Sequence, residues 1–319
     1  MFVFVNLHFQ TSVMKLSPMF RTSHHGLHRA LLLIAIFISS ARLLAQDYPL
    51  PQVPDSILSV NARANYVVER FWQHYDFADT TLLGTLYAEQ ALANYLTMLT
   101  YADDGPRNAS IAHFAEACRS NRQAEQYFFK TTERYLYYND SPLRNEPIYL
   151  QVLSRFMLSD DEGIRLRSQY MLGLVGRNMP GTMVSNCQLR LPDESLTTLH
   201  SLLPQSGACI VVFYDPDCET CLSTLFRLKY SVPLRNAISQ GRLRLIAIYA
   251  EGDEKQWRET LGEMPKNWTV AMDTGDVREQ SLFDLKSMPT LLLLKANGEV
   301  VIKDATFKEL EQHLLNTAQ

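Results

Sequence analysis

The 319-residue sequence predicts two units of different class, an all-α unit followed by an α/β unit with a central mixed β-sheet flanked by helices. Three observations carry that expectation. Between residues 62 and 176, apolar residues recur at the three-to-four spacing of helices that face a core. The periodicity stops at Asn178-Met179-Pro180-Gly181, where Pro-Gly is a turn signal. Beyond it, short apolar runs alternate with helical stretches, and an Asn-Gly hairpin near the end adds an antiparallel pair to an otherwise β-α-β pattern. A chain of this length suits two domains, each with its own core.

Taken in order, the first half predicts helices over 62–75, 81–100, 110–118, 122–137, 148–158 and 161–176. Its aromatics, among them Phe71, Trp72, Tyr75, Tyr87, Tyr95, Phe114, Phe128 and Tyr135, fall at spacings of buried helix faces, which favours core over a ligand box. The second half predicts a strand at 209–214, helices at 218–230 and 233–240, a strand at 243–250 and a helix at 254–261. Strands 290–295 and 299–303 flank Ala296-Asn297-Gly298, and a last helix, 306–315, packs back on the sheet. Neither half shows an internal repeat.

Residues 1–45 read as a signal peptide. Arg29 precedes an apolar run from Ala30 to Ile38, followed by small residues and Ala45. The run has nine residues where a membrane span needs about 20, and no cysteine follows for a lipid anchor. The stretch before Arg29 is long for a leader's basic end, which points to Met14 or Met19 as the start. The expected domains are therefore 1–45, removed on export, 46–180, all-α, and 181–319, α/β. The expected location is periplasmic.

Lys15, Arg21, Arg29 and Arg42 are the only charged residues of that leader, so of 30 basic and 34 acidic residues the remainder carries 26 and 34, a net charge of −8. This excess of acid offers no electrostatic footprint for nucleic acid or an anionic membrane. Neither is expected as a partner, and no stable membrane insertion is expected once the leader is removed.

Of the five cysteines, Cys118, Cys187 and Cys209 are scattered, and only Cys218 and Cys221 have a spacing with chemical meaning. In Ala208-Cys-Ile-Val-Val-Phe-Tyr-Asp-Pro-Asp-Cys-Glu-Thr-Cys221 a buried strand and a short loop deliver a C-x-x-C to the start of a helix. The free N–H groups and positive dipole end of that helix stabilise a thiolate. The second thiol lies one turn in, close enough to form a disulfide and too shielded to be attacked first. Cys218 is thus the expected nucleophile and Cys221 the resolving thiol. Asp215, Asp217 and Glu219 are candidate modulators of the thiol, because carboxylates oppose a thiolate where the helix end favours it. That balance favours a reductase or isomerase over a primary oxidase. Structural zinc needs four ligands, and no second C-x-x-C or paired histidine motif accompanies this one, so no metal site is expected. No cofactor is expected either. A Cys118–Cys187 bridge is compatible with export but is not implied by the sequence.

The second half, from about residue 181 to the end, resembles the thioredoxin fold on these residues: the C-x-x-C helix after a strand, then Ser287-Met288-Pro289-Thr290 leading into the hairpin and last helix. The resemblance implies that Pro289 is cis beside the dithiol and that Met288 lines a substrate groove. Residues 181–203, with Leu189-Arg-Leu-Pro-Asp-Glu-Ser-Leu196, resemble the N-terminal hairpin of secreted thiol-disulfide interchange proteins of the cytochrome c maturation type and of peroxiredoxins. The peroxidase pattern P-x-x-x-[ST]-x-x-C, begun at Pro216, requires a cysteine where Ser223 stands, so that branch is excluded. Residues around Phe71–Asp79, Ser141–Pro147 and Arg177–Thr182 resemble the helical domain of unknown function that precedes such domains in secreted bacterial proteins. The sequence departs from the family at Asp217, where tryptophan is usual, at the Glu-Thr dipeptide, which lacks proline, and at Val212, which replaces a buried acid. With that acid gone, deprotonation of Cys221 falls to water or a neighbour such as Glu219.

The resemblance implies a periplasmic thiol-disulfide oxidoreductase whose partners are protein thiols or disulfides and a redox partner protein. A reading of another class stays open: a catalytically weak or inert thioredoxin-like binding module whose helical half makes the main protein contact.

Overall fold

The computed structural model describes residues 48–317. The leader lies outside them. Among the described residues, six α-helices make the first half: α1 (Val60–Arg70), α2 (Leu86–Leu99), α3 (Asp104–Arg119), α4 (Arg122–Leu136), α5 (Glu146–Phe156) and α6 (Glu162–Val175). Their starts are written in the sequence. Ser59, Thr85, Asn121, Asn145 and Asp161 each accept a backbone N–H of the first turn that follows them. Pro147 sits in the first turn of α5, where its missing N–H costs nothing. Helix α3 begins six residues earlier than the periodicity predicts. Gly105 and Pro106 occupy its first turn, where they are tolerated, although in sequence they read as breakers. The stretch predicted as one helix over 62–75 is α1 followed by a 3₁₀ turn, Phe71–His74.

The second half holds β1 (Gln188–Arg190), β2 (Leu196–Thr198), α7 (Leu199–Leu202), β3 (Ala208–Tyr214), α8 (Glu219–Tyr230), α9 (Val232–Ser239), β4 (Leu243–Tyr249) and α10 (Glu254–Thr260). It continues with β5 (Thr269–Asp273), α11 (Asp276–Glu279), β6 (Thr290–Lys295), β7 (Val300–Ile302) and α12 (Phe307–Thr317). The strands form one mixed sheet in the order β2-β1-β5-β4-β3-β6-β7. Strands β3, β4 and β5 run parallel, and β1, β2, β6 and β7 join by antiparallel pairing. Strand β5 went unrecognised in the sequence, since Thr269-Val-Ala-Met-Asp273 is short and its alanine and methionine are weak strand formers.

Strand β3 is buried on both faces, which is why it reads as an unbroken apolar run. Ile210, Val212 and Tyr214 pack with Leu225, Leu228, Leu234, Trp257 and Leu310 from α8, α9, α10 and α12. Cys209, Val211 and Phe213 pack on the other face with Leu189, Leu199, Val277 and Phe283. The strand period of two thus divides one sequence between two cores. The helical half has a third core, built from residues between Tyr48 and Val175 and centred on Phe71, Tyr95, Phe114 and Phe128. Both halves lie within one compact unit that begins at Tyr48. No helix among the described residues is long and apolar enough to cross a membrane.

Candidate active site

Topology brings the two motifs together. Strands β3 and β6 are antiparallel neighbours with Phe213 opposite Thr290. The loop that leaves β3 therefore emerges beside the loop that enters β6, and Cys218 meets Met288.

Cys218 is the N-cap of α8. Its Sγ accepts the backbone N–H of Cys221 at 3.2 Å, so the sulfur sits where a helix N-terminus offers its unpaired donors. The preceding loop is locked by its own atoms: Cys218 N–H donates to the Asp215 carbonyl at 3.2 Å, and Asp217 N–H donates to Asp215 Oδ1 at 3.0 Å. The Cys218 thiol lies 3.6 Å from the Met288 carbonyl, to which it donates. The Met288–Pro289 peptide bond is cis. Cys218 is half-buried, whereas Cys221 is fully buried in the core beneath α8.

Burial and a hydrogen bond with Cys218 push the Cys221 thiol up to about 12. Burial likewise pushes Cys187 and Cys209 up to about 12 and Cys118 well above its usual value. All five thiols are free. Cys118 belongs to the helical core and Cys187 to one face of the sheet core, so the structure forms no bridge between them. The three acidic candidates divide. Asp217 and Glu219 are exposed, whereas Asp215 is half-buried; its backbone hydrogen bond lowers the Cys221 thiol and its charge raises it by less.

The structure adds features that the sequence did not disclose. Leu222, Phe226 and Tyr230 form an exposed apolar stripe along α8, starting one residue beyond Cys221. On the other side, residues 280–288, which end at Met288, are bonded to the helical half. Tyr137 Oη donates to Asp284 Oδ1 at 2.7 Å, and Asn139 Nδ2 donates to Ser287 Oγ. Arg177 and Asn178 each donate to a backbone carbonyl, Gln280 and Leu282, at 2.8 Å. Lys286 is buried among carboxylates. Its Nζ pairs with Glu146, stands 2.7 Å from Asp304 Oδ2 and 3.4 Å from Asp284 Oδ2, and lies over the Tyr137 ring. Burial alone would lower the Lys286 ammonium, but Asp304 and Glu146 outweigh it and hold it above its usual value. Lys303 Nζ closes the cluster at 3.0 Å from Glu146 and 2.7 Å from the Val175 carbonyl. Burial raises Glu146, but Lys303 and Lys286 more than offset this and hold it below the usual carboxylate range.

Comparison with known proteins agrees with this architecture. Residues 207–300 match the thioredoxin-like family model, and residues 21–178 match the domain of unknown function DUF5106. A segment that matches DUF5106 thus precedes one that matches the thioredoxin-like model. A solved thioredoxin-like protein from Bacteroides caccae is 28% identical over 85% of this chain and 99% of its own, with a TM-score of 0.77. The C-terminal domain of an uncharacterised protein from Bacteroides fragilis is 27% identical, covering 43% of this chain and 98% of its own, with a TM-score of 0.42. The thioredoxin domain of a thiol-disulfide oxidoreductase from Bacteroides vulgatus is 14% identical, covering 44% and 99%, with a TM-score of 0.38. No curated protein matches the chain.

Proposed function

We propose that the protein is a thiol-disulfide oxidoreductase working through Cys218 and Cys221. The observation that carries this is the half-exposed Cys218 sulfur, held on the Cys221 N–H at a helix N-terminus beside Met288. In the reductive direction the Cys218 thiolate attacks one sulfur of a protein disulfide. A mixed disulfide forms, and the displaced sulfur leaves and takes a proton. Cys221 then loses its proton and attacks Cys218 Sγ, which closes the Cys218–Cys221 disulfide and releases the second partner thiol. Two electrons pass to the partner, and a reduced dithiol protein returns them.

Cys221 is too buried to attack a partner protein first, and its high pKa keeps it protonated until the mixed disulfide forms. Met288 and Pro289 form the groove for the partner backbone. The acidic loop at Asp215, Asp217 and Glu219 opposes a strongly stabilised thiolate, which favours a reductase or isomerase. The reading takes 1–45 as an export leader, 46–180 and 181–319 as the domains, and the periplasm as the site of action.

The test is reduction of insulin, followed by turbidity with a regenerating dithiol. Cys218→Ser should abolish turnover and trap nothing, whereas Cys221→Ser should accumulate mixed disulfides with partner proteins. Equal trapping by both variants would reverse the assignment of roles. A parent with no turnover on any disulfide would favour the binding-module reading.

A further inference from the structure

Resting on that redox reading, we propose that the helical half is a built-in positioning element of the thiol site, in which Tyr137, Asn139 and Glu146 fix the course of residues 280–288 and so hold Met288 against Cys218. Between α11, which ends at Glu279, and β6, which begins at Thr290, no regular element sets the path of the chain. The backbone N–H groups of Gln280, Ser281 and Leu282 bond back to α11, and Lys286 also pairs with Asp304, but from Gln280 to Ser287 further groups are met by the helical half. The Gln280 and Leu282 carbonyls are taken by Arg177 and Asn178, Asp284 by Tyr137, Lys286 by Glu146, and Ser287 by Asn139. Five anchors fall within eight residues, and the last is one residue before Met288. The Lys286 side chain is 6% exposed and that of Asp284 is 2%, so water cannot replace these partners without opening the cluster.

The consequence concerns binding more than bond-making. Cys218 receives its helix N–H locally, and its bond to the loop is a donation from the protonated thiol to the Met288 carbonyl, so a loosened loop does not slow attack on a small reagent. A protein disulfide has to seat its backbone along Met288, and a loop held too loosely weakens that fit. The helical residues therefore act through Met288 and touch no reacting atom.

The experiment compares the full-length parent with Tyr137→Phe, which removes one hydroxyl and keeps the ring over Lys286, and with Asn139→Ala. Each is expected to raise the KM for insulin reduction roughly three- to tenfold, the worth of one hydrogen bond. The kcat should stay unchanged, the rate of Cys218 alkylation by iodoacetamide should not fall, and amide exchange across 280–288 should quicken. Ile111→Val, in the helical core away from the loop, controls for lost stability and should leave KM at the parental value. The proposal is overturned if both variants keep the parental KM, if Ile111→Val raises KM equally, if alkylation slows in step, or if exchange across the loop is unchanged. A parent that reduces no disulfide overturns the redox reading itself, whereas an active parent matched by its variants overturns the positioning role alone.

Discussion

The site has two walls, and they are built in opposite ways. The Cys218 wall is local: its hydrogen bonds join Asp215 to Asp217 and Cys218, and Cys218 to Cys221 and Leu222, all within eight consecutive residues. The Met288 wall is assembled across the chain, with Tyr137 and Asp284 separated by 147 positions and Asn139 and Ser287 by 148. In the proposed reading the first wall supplies chemistry and the second supplies aim. Damage to the first should stop the reaction, while damage to the second should loosen the protein or the fit and leave the thiol competent.

The largest expected effect on the distant wall comes from Lys286→Met. Among the described residues, removing the ammonium leaves Asp284 without a paired cation, Asp304 with only Arg144 at 3.8 Å and Glu146 with Lys303, and breaking such a buried pairing costs about 3–5 kcal/mol. Urea unfolding measures it. The double variant Lys286→Met with Asp284→Asn should recover part of the loss, since Lys286 is the only cation paired with Asp284 among the described residues, whereas Glu146 keeps Lys303. A loss below about 1 kcal/mol would mean that water reaches the cluster, and the contrast between the walls would then be one of distance only.

Alkali probes the local wall and the cores behind it. Burial raises Cys187, Cys209 and Cys221 to about 12, while the same thiols in an unfolded chain ionise near 8.5. Above that pH the unfolded state holds fewer protons than the folded one, so stability is fully present below about pH 8.5 and falls as pH rises toward 12. Each fully buried thiol such as Cys209 contributes a slope of about 1.4 kcal/mol per pH unit. The slope of unfolding free energy between pH 9 and 11 should therefore be smaller by one such increment in Cys209→Ala. An unchanged slope would show that the sheet core opens to solvent before the chain unfolds.

The same division explains what the sequence disclosed. The helix faces, the buried strand β3, the C-x-x-C at a helix start and the Asn297-Gly298 turn depend on neighbours within a few residues, and each is legible as a period or a motif. Met288 and Pro289 were legible through resemblance to a fold, since nothing local says which loop Pro289 will face. The clamp was not legible. Tyr137, Asn139 and Glu146 look like ordinary residues at a helix end, a turn and a helix start, and the partners that give them a role lie more than 130 residues away. Asp215, Asp217 and Glu219 show the limit of proximity in sequence: three carboxylates close along the chain differ in burial, with Asp215 half-buried and bonded within its own loop and the other two exposed.

The smallest expected effect follows from that last distinction. Asp217 is exposed at the mouth of the local wall, so its field reaches Cys218 largely through water and falls off over a Debye length of about 10 Å at 0.1 M salt. Asp217→Asn should accelerate alkylation of Cys218 in the reduced protein by roughly twofold at low salt, as removal of one screened charge several ångströms away allows. The difference should shrink as salt rises and vanish near 1 M, where the Debye length is about 3 Å. The measurement is a rate series in iodoacetamide across ionic strength at fixed pH, with Asp217→Asn beside the parent. A gain that persists in 1 M salt, or one approaching tenfold, would mean that the Asp217 carboxylate reaches the sulfur by a direct, water-poor path. The local wall would then owe its reactivity to the acidic loop as much as to the helix end, and the preference for the reducing direction would rest on Asp217 itself.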